Sequence, residues 1–330
     1  RHCSELFHRP LPCEAALLEY RSIQALSFSA IREDSNKWEG EQRGAGRRAA
    51  PQSCLGAHGF RCRRKLTNRV IFPSFFLRIE PSMQAFPPPY CDANSVDSTL
   101  RAYGYAVLSP AAVAQWAGCA AEQLAALVPS WDNMPDDAYL KDGGRYRKRR
   151  HSCYVVSNGA VQTVPHRAHW QPLQYNALHG GMQRWFEPVL PATQQNPAWN
   201  QLLLALGRSA NALFGTASDE PWYTEAHQFR IDTADGIGRP TPEGAHRDGV
   251  DLVAVFLVGR ENIKGGETRV FDANGPQGLR FTLTEPWSLM LLDDARMIHE
   301  STPIQPLSEA GGHRDTWVVT LRRQAFQGDE

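Results

Sequence analysis

From Trp222 onward, short runs of β-branched and aromatic residues alternate with Gly, Pro and Asn: Tyr223–Ile231, Val250–Val258, Glu267–Phe271, Leu279–Leu283, Ser288–Leu292 and Thr316–Leu321. Runs of this length bounded by turn formers read as strands, and a series of them with no helix between points to a β-sandwich or jelly roll. Ahead of them the period changes. Ser109 suits an N-cap and Pro110 the first helical position. Val113, Trp116, Ala120, Leu124 and Leu127 follow at helical spacing, predicting one helix beyond the extended piece Gly104–Leu108. Asn196 to Phe214 predicts a second helix, with Leu202, Leu203, Leu206 and Leu213 on one stripe. The expected fold is mainly β with flanking helices (α+β), around a jelly-roll, or double-stranded β-helix, core of cupin type.

Residues 1–82 lack any sustained period, and Glu39 to Arg64, rich in Gly, Arg and Ala, reads as disordered. Charge separates the same two parts: 14 Lys+Arg against 8 Asp+Glu up to Ser82, then 21 against 27. The first methionine is Met83. The expectation is that residues 1–82 are disordered or translated from upstream of a start at Met83, with 83–330 forming one domain. A targeting segment is an alternative, which the eight acidic residues count against. A nucleic-acid-binding arm at Arg61 to Lys65 is another.

The whole chain is formally neutral, so no global charge points to nucleic acid or an anionic membrane. Mean hydropathy is -0.44 and no apolar run approaches the ~18 residues of a membrane span. The seven cysteines include no CxxC pair, which suits a reducing, cytoplasmic setting and argues against a thiolate zinc site.

The strongest chemical signal is His246-Arg247-Asp248, followed by His299. In an extended chain, residues two apart share a face. A histidine from a distant strand can then complete a set of two imidazoles and one carboxylate, the set that leaves iron(II) open positions for other ligands. On spacing alone, a surface His–Asp pair plus a core histidine fits equally well. His-Arg-Asp also opens the catalytic loop of protein kinases, but that loop needs Asn five positions after the Asp, where this chain has Val253.

Longer stretches are more specific. RYRKRRHSCY (Arg145–Tyr154), QYNALHGGMQRWFEP (Gln174–Pro188), HQFRI (His227–Ile231), GRPTPEGAHRDGVDLVAVFLVGRENIKGGET (Gly238–Thr268), LLDDARMIHESTPI (Leu291–Ile304) and RDTWVVT (Arg314–Thr320) occur in this order. Together they resemble the 2OG-Fe dioxygenase family, in its free-amino-acid hydroxylase branch that includes a bacterial L-isoleucine dioxygenase. The resemblance runs from about Tyr103 to Leu321.

It implies an iron(II)- and 2-oxoglutarate-dependent dioxygenase that consumes O2, releases succinate and CO2, and hydroxylates an unactivated C–H of a small substrate, a free L-amino acid. His246, Asp248 and His299 match the iron ligands. Arg314 falls where relatives grip the distal carboxylate of 2-oxoglutarate, with Thr316 beside it and Arg322 as a competing anchor. Candidate substrate contacts are Arg145, Arg147, His227 and Arg230. Gln174, Tyr175, Asn176 and Arg184 are further lining candidates. Asp293 and Asp294 are candidates for orienting a ligand imidazole, and Gly265-Gly266 reads as a turn. Two other readings stay open: a non-catalytic metal-binding jelly-roll protein with a regulatory or biofilm role, and a cupin-type hydrolase or isomerase that would not need Arg314.

Overall fold

The expected strands form in the computed structural model, which describes residues 86–329. The expectations for residues 1–82 and for Met83 lie outside the described residues. In chain order the strands are β1 (Tyr105–Leu108), β2 (Arg147–Ser157), β3 (Ala160–Thr163), β4 (Trp222–Asp232), β5 (Leu252–Glu261), β6 (Ile263–Gly265), β7 (Thr268–Asp272), β8 (Gly278–Phe281), β9 (Leu289–Asp293), β10 (Met297–Ser301), β11 (Ile304–Pro306) and β12 (His313–Arg322). Seven make one sheet in the order β1-β9-β5-β12-β4-β2-β3; β10-β7-β8 and β11-β6 make two smaller ones. This is the expected jelly-roll core, without closure into a barrel.

The central strands of the large sheet are buried on both faces, which explains why β5 reads as an unbroken apolar run. Leu252, Ala254, Phe256 and Val258 join a core with Trp199, Leu202 and Leu206 of the helix Pro197–Phe214, while Val253, Val255 and Leu257 join a second core with Val270 and Phe281. Strand β12 follows the same alternation. Trp317, Val319 and Leu321 pack in the helix-side core, whereas Arg314, Thr316, Val318 and Thr320 line a cavity on the opposite face.

Two sequence expectations change here. The single helix from Pro110 to Leu127 is broken into Pro110–Ala117, Ala121–Ala125 and a 3-10 turn, Val128–Trp131. Gly118 adopts φ 71, the left-handed conformation that ends a helix and that glycine reaches without steric cost. The apolar spacing continued across the break because both short helices face one core. Strand β2 is not among the runs that the sequence pattern predicts. Its buried positions include Arg147, Arg149 and His151, so no hydrophobic alternation marks it. The Gly265-Gly266 turn is present, with φ 80 and 66, and a Cβ on Gly265 would lie 2.2 Å from the Pro303 carbonyl oxygen. None of the helices among the described residues is long and apolar enough to cross a membrane.

Candidate metal centre and cavity

The chain reaches the cavity from three directions. His246 precedes β5 and pairs through its backbone with His299 on β10, N to O at 3.0 and 2.9 Å in the two directions. Asp248 follows two residues later. Its carboxylate lies 3.8 Å from His246 Nε2 through Oδ1 and 3.8 Å from His299 Nε2 through Oδ2. These are separations of atoms converging on one point rather than of hydrogen bonds, so the three side chains can hold a single metal ion.

The donor chemistry fits such an ion. His246 Nδ1 lies 2.9 Å from the Gly244 carbonyl oxygen, so the ring proton sits on Nδ1 and the Nε2 lone pair faces Asp248. Burial pushes His299 well below the usual histidine range, keeping it neutral as a ligand must be. Burial also disfavours the charged form of His246, but the Asp248 and Glu243 carboxylates outweigh it and raise this group.

Asp294 takes a different role from the one expected. It orients no imidazole. Its carboxylate accepts the backbone N–H of Asp248 at 2.9 Å, of Gly249 at 2.8 Å and of Val250 at 3.1 Å, clamping the segment that carries Asp248. Asp293 accepts from Ala295 N in the following turn. Gln171 Nε2 donates to Asp248 Oδ1 at 3.3 Å, and Gln171 Oε1 accepts from Arg184 and Asn176.

Arg314 is 3% exposed, lines the cavity, and has a buried Nε without a hydrogen-bond partner. Burial and the neighbouring Arg260 charge pull it down to about 10, still cationic at neutral pH. A buried guanidinium without a carboxylate is costly, and an entering carboxylate relieves that cost through two parallel hydrogen bonds. Thr316 lines the same wall. Arg322 sits eight residues along β12, outside the cavity, and donates to the Ala325 carbonyl.

Of the other sequence candidates, Arg147 and His227 line the cavity, and Arg147 pairs with Asp137 at 2.7 Å. Arg145 and Arg230 do not reach it. Arg145 precedes β2 and is exposed. Arg230 has the opposite strand parity from His227, so it faces away, bonded at 2.7 Å to Asp315, its direct cross-strand neighbour. Asn176 and Arg184 line the cavity, while Gln174 is exposed.

Sequence reasoning missed four polar residues here. Glu243 lies 3.4 Å from His246 Nε2. Arg149 is stacked over Phe186 at 4.0 Å and Phe229 at 4.6 Å. Glu225 accepts from His169 at 2.6 Å and from His151 at 2.8 Å. A signal for Glu225 was available, since Glu225-x-His227 has the same two-residue period as His246-x-Asp248. His169, on an irregular segment, offered none.

A family model described as 2OG-Fe dioxygenase matches residues 128–320. The chain belongs to the 2OG-Fe dioxygenase family. This dioxygenase is therefore a 2-oxoglutarate-dependent enzyme, whose family uses Fe(II), 2-oxoglutarate and O2, and it presents a His/Asp/His group suited to the metal. It is 50% identical to a bsmA homologue from Methylobium petroleophilum PM1, over 75% of this chain and 100% of that one, with a TM-score of 0.70. It shares its fold with IDO from Bacillus thuringiensis, at 16% identity over 73% and 99% of the two chains and a TM-score of 0.59. The same holds for the Fe(II)/(alpha)ketoglutarate-dependent dioxygenase TqaL, at 20% identity over 72% and 89% and a TM-score of 0.55. No curated protein matches the chain.

Proposed function

We propose that this dioxygenase hydroxylates an unactivated C–H of a free L-amino acid, with His246, Asp248 and His299 holding the iron and Arg314 anchoring 2-oxoglutarate. The observation that carries this reading is the pairing of a convergent triad with a buried, partnerless guanidinium in one cavity. A metal-binding protein without turnover, or a cupin-type hydrolase, has no use for Arg314 in that state.

Bound iron and 2-oxoglutarate supply the oxidising chemistry, with succinate and CO2 as coproducts, and the protein supplies geometry. Arg314 and Thr316 grip the distal carboxylate of the cosubstrate. Asp294 and Gln171 fix Asp248 from the backbone and carboxylate sides. Val255, Met290 and Val318 give the cavity an apolar stretch that excludes water from the reacting carbon. A free amino acid is supported by charges of both signs on the same cavity, Arg149 and Arg184 beside Glu225.

The test is succinate release by the Fe(II)-loaded protein given air, 2-oxoglutarate and a pool of L-amino acids. Succinate should rise with one amino acid, together with a product heavier by one oxygen atom. His246→Ala and Asp248→Ala should each abolish both signals, because two remaining ligands do not hold iron in an open site. Near-normal turnover in both variants would sink the triad assignment. A folded, iron-loaded protein that fails to bind 2-oxoglutarate would favour the non-catalytic reading.

A further inference from the structure

A second buried cluster, which the proposed metal chemistry does not use, brings His169, Glu225 and His227 to the cavity wall with His151 behind them. Its ligand-type atoms lie close enough together to suggest a second metal, but their contacts argue otherwise. Glu225 Oε2 is 2.6 Å from His169 Nδ1 and 2.8 Å from His151 Nε2, hydrogen-bond lengths rather than the 3.8 Å spacing of the triad. His227 Nδ1 faces the Arg149 guanidinium at 3.0 Å, and a cation there would be repelled.

Proton bookkeeping shows what the cluster presents to the cavity. Burial holds His169 neutral at neutral pH, down to about 4. Burial disfavours the charged form of Glu225, but the two imidazole partners outweigh it and hold the carboxylate ionised, well below its usual range. His169 therefore donates Nδ1–H to Glu225, which leaves Nε2 as an acceptor on a ring that lines the cavity. Both imidazoles bond Glu225 Oε2, which leaves Oε1 as a second acceptor on a residue that lines the cavity. Thr320, directly opposite Glu225 in the β12–β4 register, adds a hydroxyl to the same wall. Three acceptors match the three N–H donors of a primary ammonium.

Arg149 has the complementary shape. It is 4% exposed, its Nε is buried without a partner, and its terminal nitrogen bonds a neutral imidazole rather than a carboxylate. The two receptors flank one ring: His227 Nδ1 is 3.0 Å from Arg149 and His227 Nε2 is 3.8 Å from Glu225 Oε2. One ring and two contacts is the span needed by an α-amino acid whose ammonium and carboxylate each make hydrogen bonds of ~2.8 Å across N–Cα and Cα–C bonds of ~1.5 Å.

We propose that Glu225, His169 and Thr320 form an ammonium subsite and Arg149 a carboxylate subsite, which together select a free α-amino acid. The inference rests on the amino-acid reading given above and names the groups that enforce it. A peptide bond at either end removes one of the two charges, so peptides and N-acylated amino acids are excluded. The subsite also sits at the correct end of the cavity. Glu225 pairs across the sheet with Thr320, six residues along β12 from Arg314 or ~20 Å at strand rise. His169 is two residues from Gln171, which touches Asp248. A substrate held here directs its side chain toward the metal triad, leaving the Arg314 end to 2-oxoglutarate.

The test is calorimetric binding to the full chain loaded anaerobically with Fe(II) and 2-oxoglutarate. The probes are the twenty standard L-amino acids, each compared with its desamino acid, its decarboxylated amine, its N-acetyl derivative and its glycyl dipeptide. The wild type should prefer one amino acid over its desamino analogue by ~30-fold or more, the usual effect of leaving one member of a buried charge pair alone. Glu225→Gln should bring the two to equal affinity while leaving 2-oxoglutarate affinity unchanged. Arg149→Gln should instead erase the preference over the decarboxylated amine. Should Glu225→Gln not fold, Thr320→Val removes one acceptor at no charge cost and should weaken the amino acid several-fold but not its desamino analogue. Undiminished preference for the amino acid over its desamino analogue in Glu225→Gln and Thr320→Val overturns the subsite while leaving the amino-acid reading intact. A wild type that binds 2-oxoglutarate but favours desamino, N-acylated or peptidic probes overturns both.

Discussion

Acidification from pH 7 to pH 5 should destabilise the metal-free protein through His169, and the size of the effect follows from its surroundings. His169 is 6% exposed and donates to Glu225 at 2.6 Å, and burial moves it from 6.5 to about 4. In the unfolded chain it returns to ~6.5. A histidine with a depressed folded value is protonated first in the unfolded state, so folding stability falls as pH drops from ~6.5 toward 4. At pH 5 the difference is about 2 kcal/mol for this one side chain. Burial shifts His151 and His227 in the same direction. Glu225 continues the trend at lower pH, since its depressed carboxylate contributes stability that is lost once pH falls below the unfolded value of ~4.3. The assay is urea unfolding at pH 7, 6 and 5 in a chelator, comparing wild type with His169→Gln. The amide can still donate to Glu225 but does not titrate, so the loss of stability between pH 7 and 5 should shrink by about 2 kcal/mol. Equal losses in the two proteins would refute the neutral, buried His169 on which the calculation depends.

Three further expectations concern the anchor, the clamp and the core. Arg314→Gln should raise the dissociation constant for 2-oxoglutarate by ~30-fold or more with the fold unchanged, read by titration of the metal-loaded protein; an unchanged constant would move the anchor to another cavity residue. Asp294→Asn should weaken Fe(II) binding by about 10- to 100-fold, because one oxygen and an amide NH2 cannot accept the three backbone N–H groups now held by the carboxylate. Wild-type metal affinity in that variant would show that Asp248 is placed by other contacts. Trp317→Ala should cost about 3–5 kcal/mol in urea unfolding, since the indole is fully buried between Trp199 at 4.1 Å and Phe256 at 5.0 Å; a loss below 1 kcal/mol would mean that the helix and sheet repack around the gap.

How much of this was legible in the sequence depends on where each residue sits. Strands β5, β9 and β12 were readable because apolar side chains repeat along β12 with the period of the pleat and fill both faces of β5 and β9. The cavity-facing stretch of β2 was not legible, since its buried side there is made of Arg147, Arg149 and His151, whose burial only neighbouring strands and the loop bearing Phe186 make tolerable. The metal triad was legible because His-x-Asp is local and His299 lies in a longer stretch with the family pattern.

Sequence by itself determined the jelly-roll class, and through an ordered string of motifs it pointed to His246, Asp248, His299 and Arg314 as the residues matching the family's ligand and anchor positions. Parity separated His227 from Arg230 only after β12 had supplied Asp315 as a partner for the arginine. Tertiary structure alone decided that Asp294 clamps a backbone and that Glu225 faces His169, 56 positions away. Those contacts join segments with no fixed spacing along the chain. Whether a buried charge is paired, or left waiting for a ligand, is settled by what the fold places opposite it.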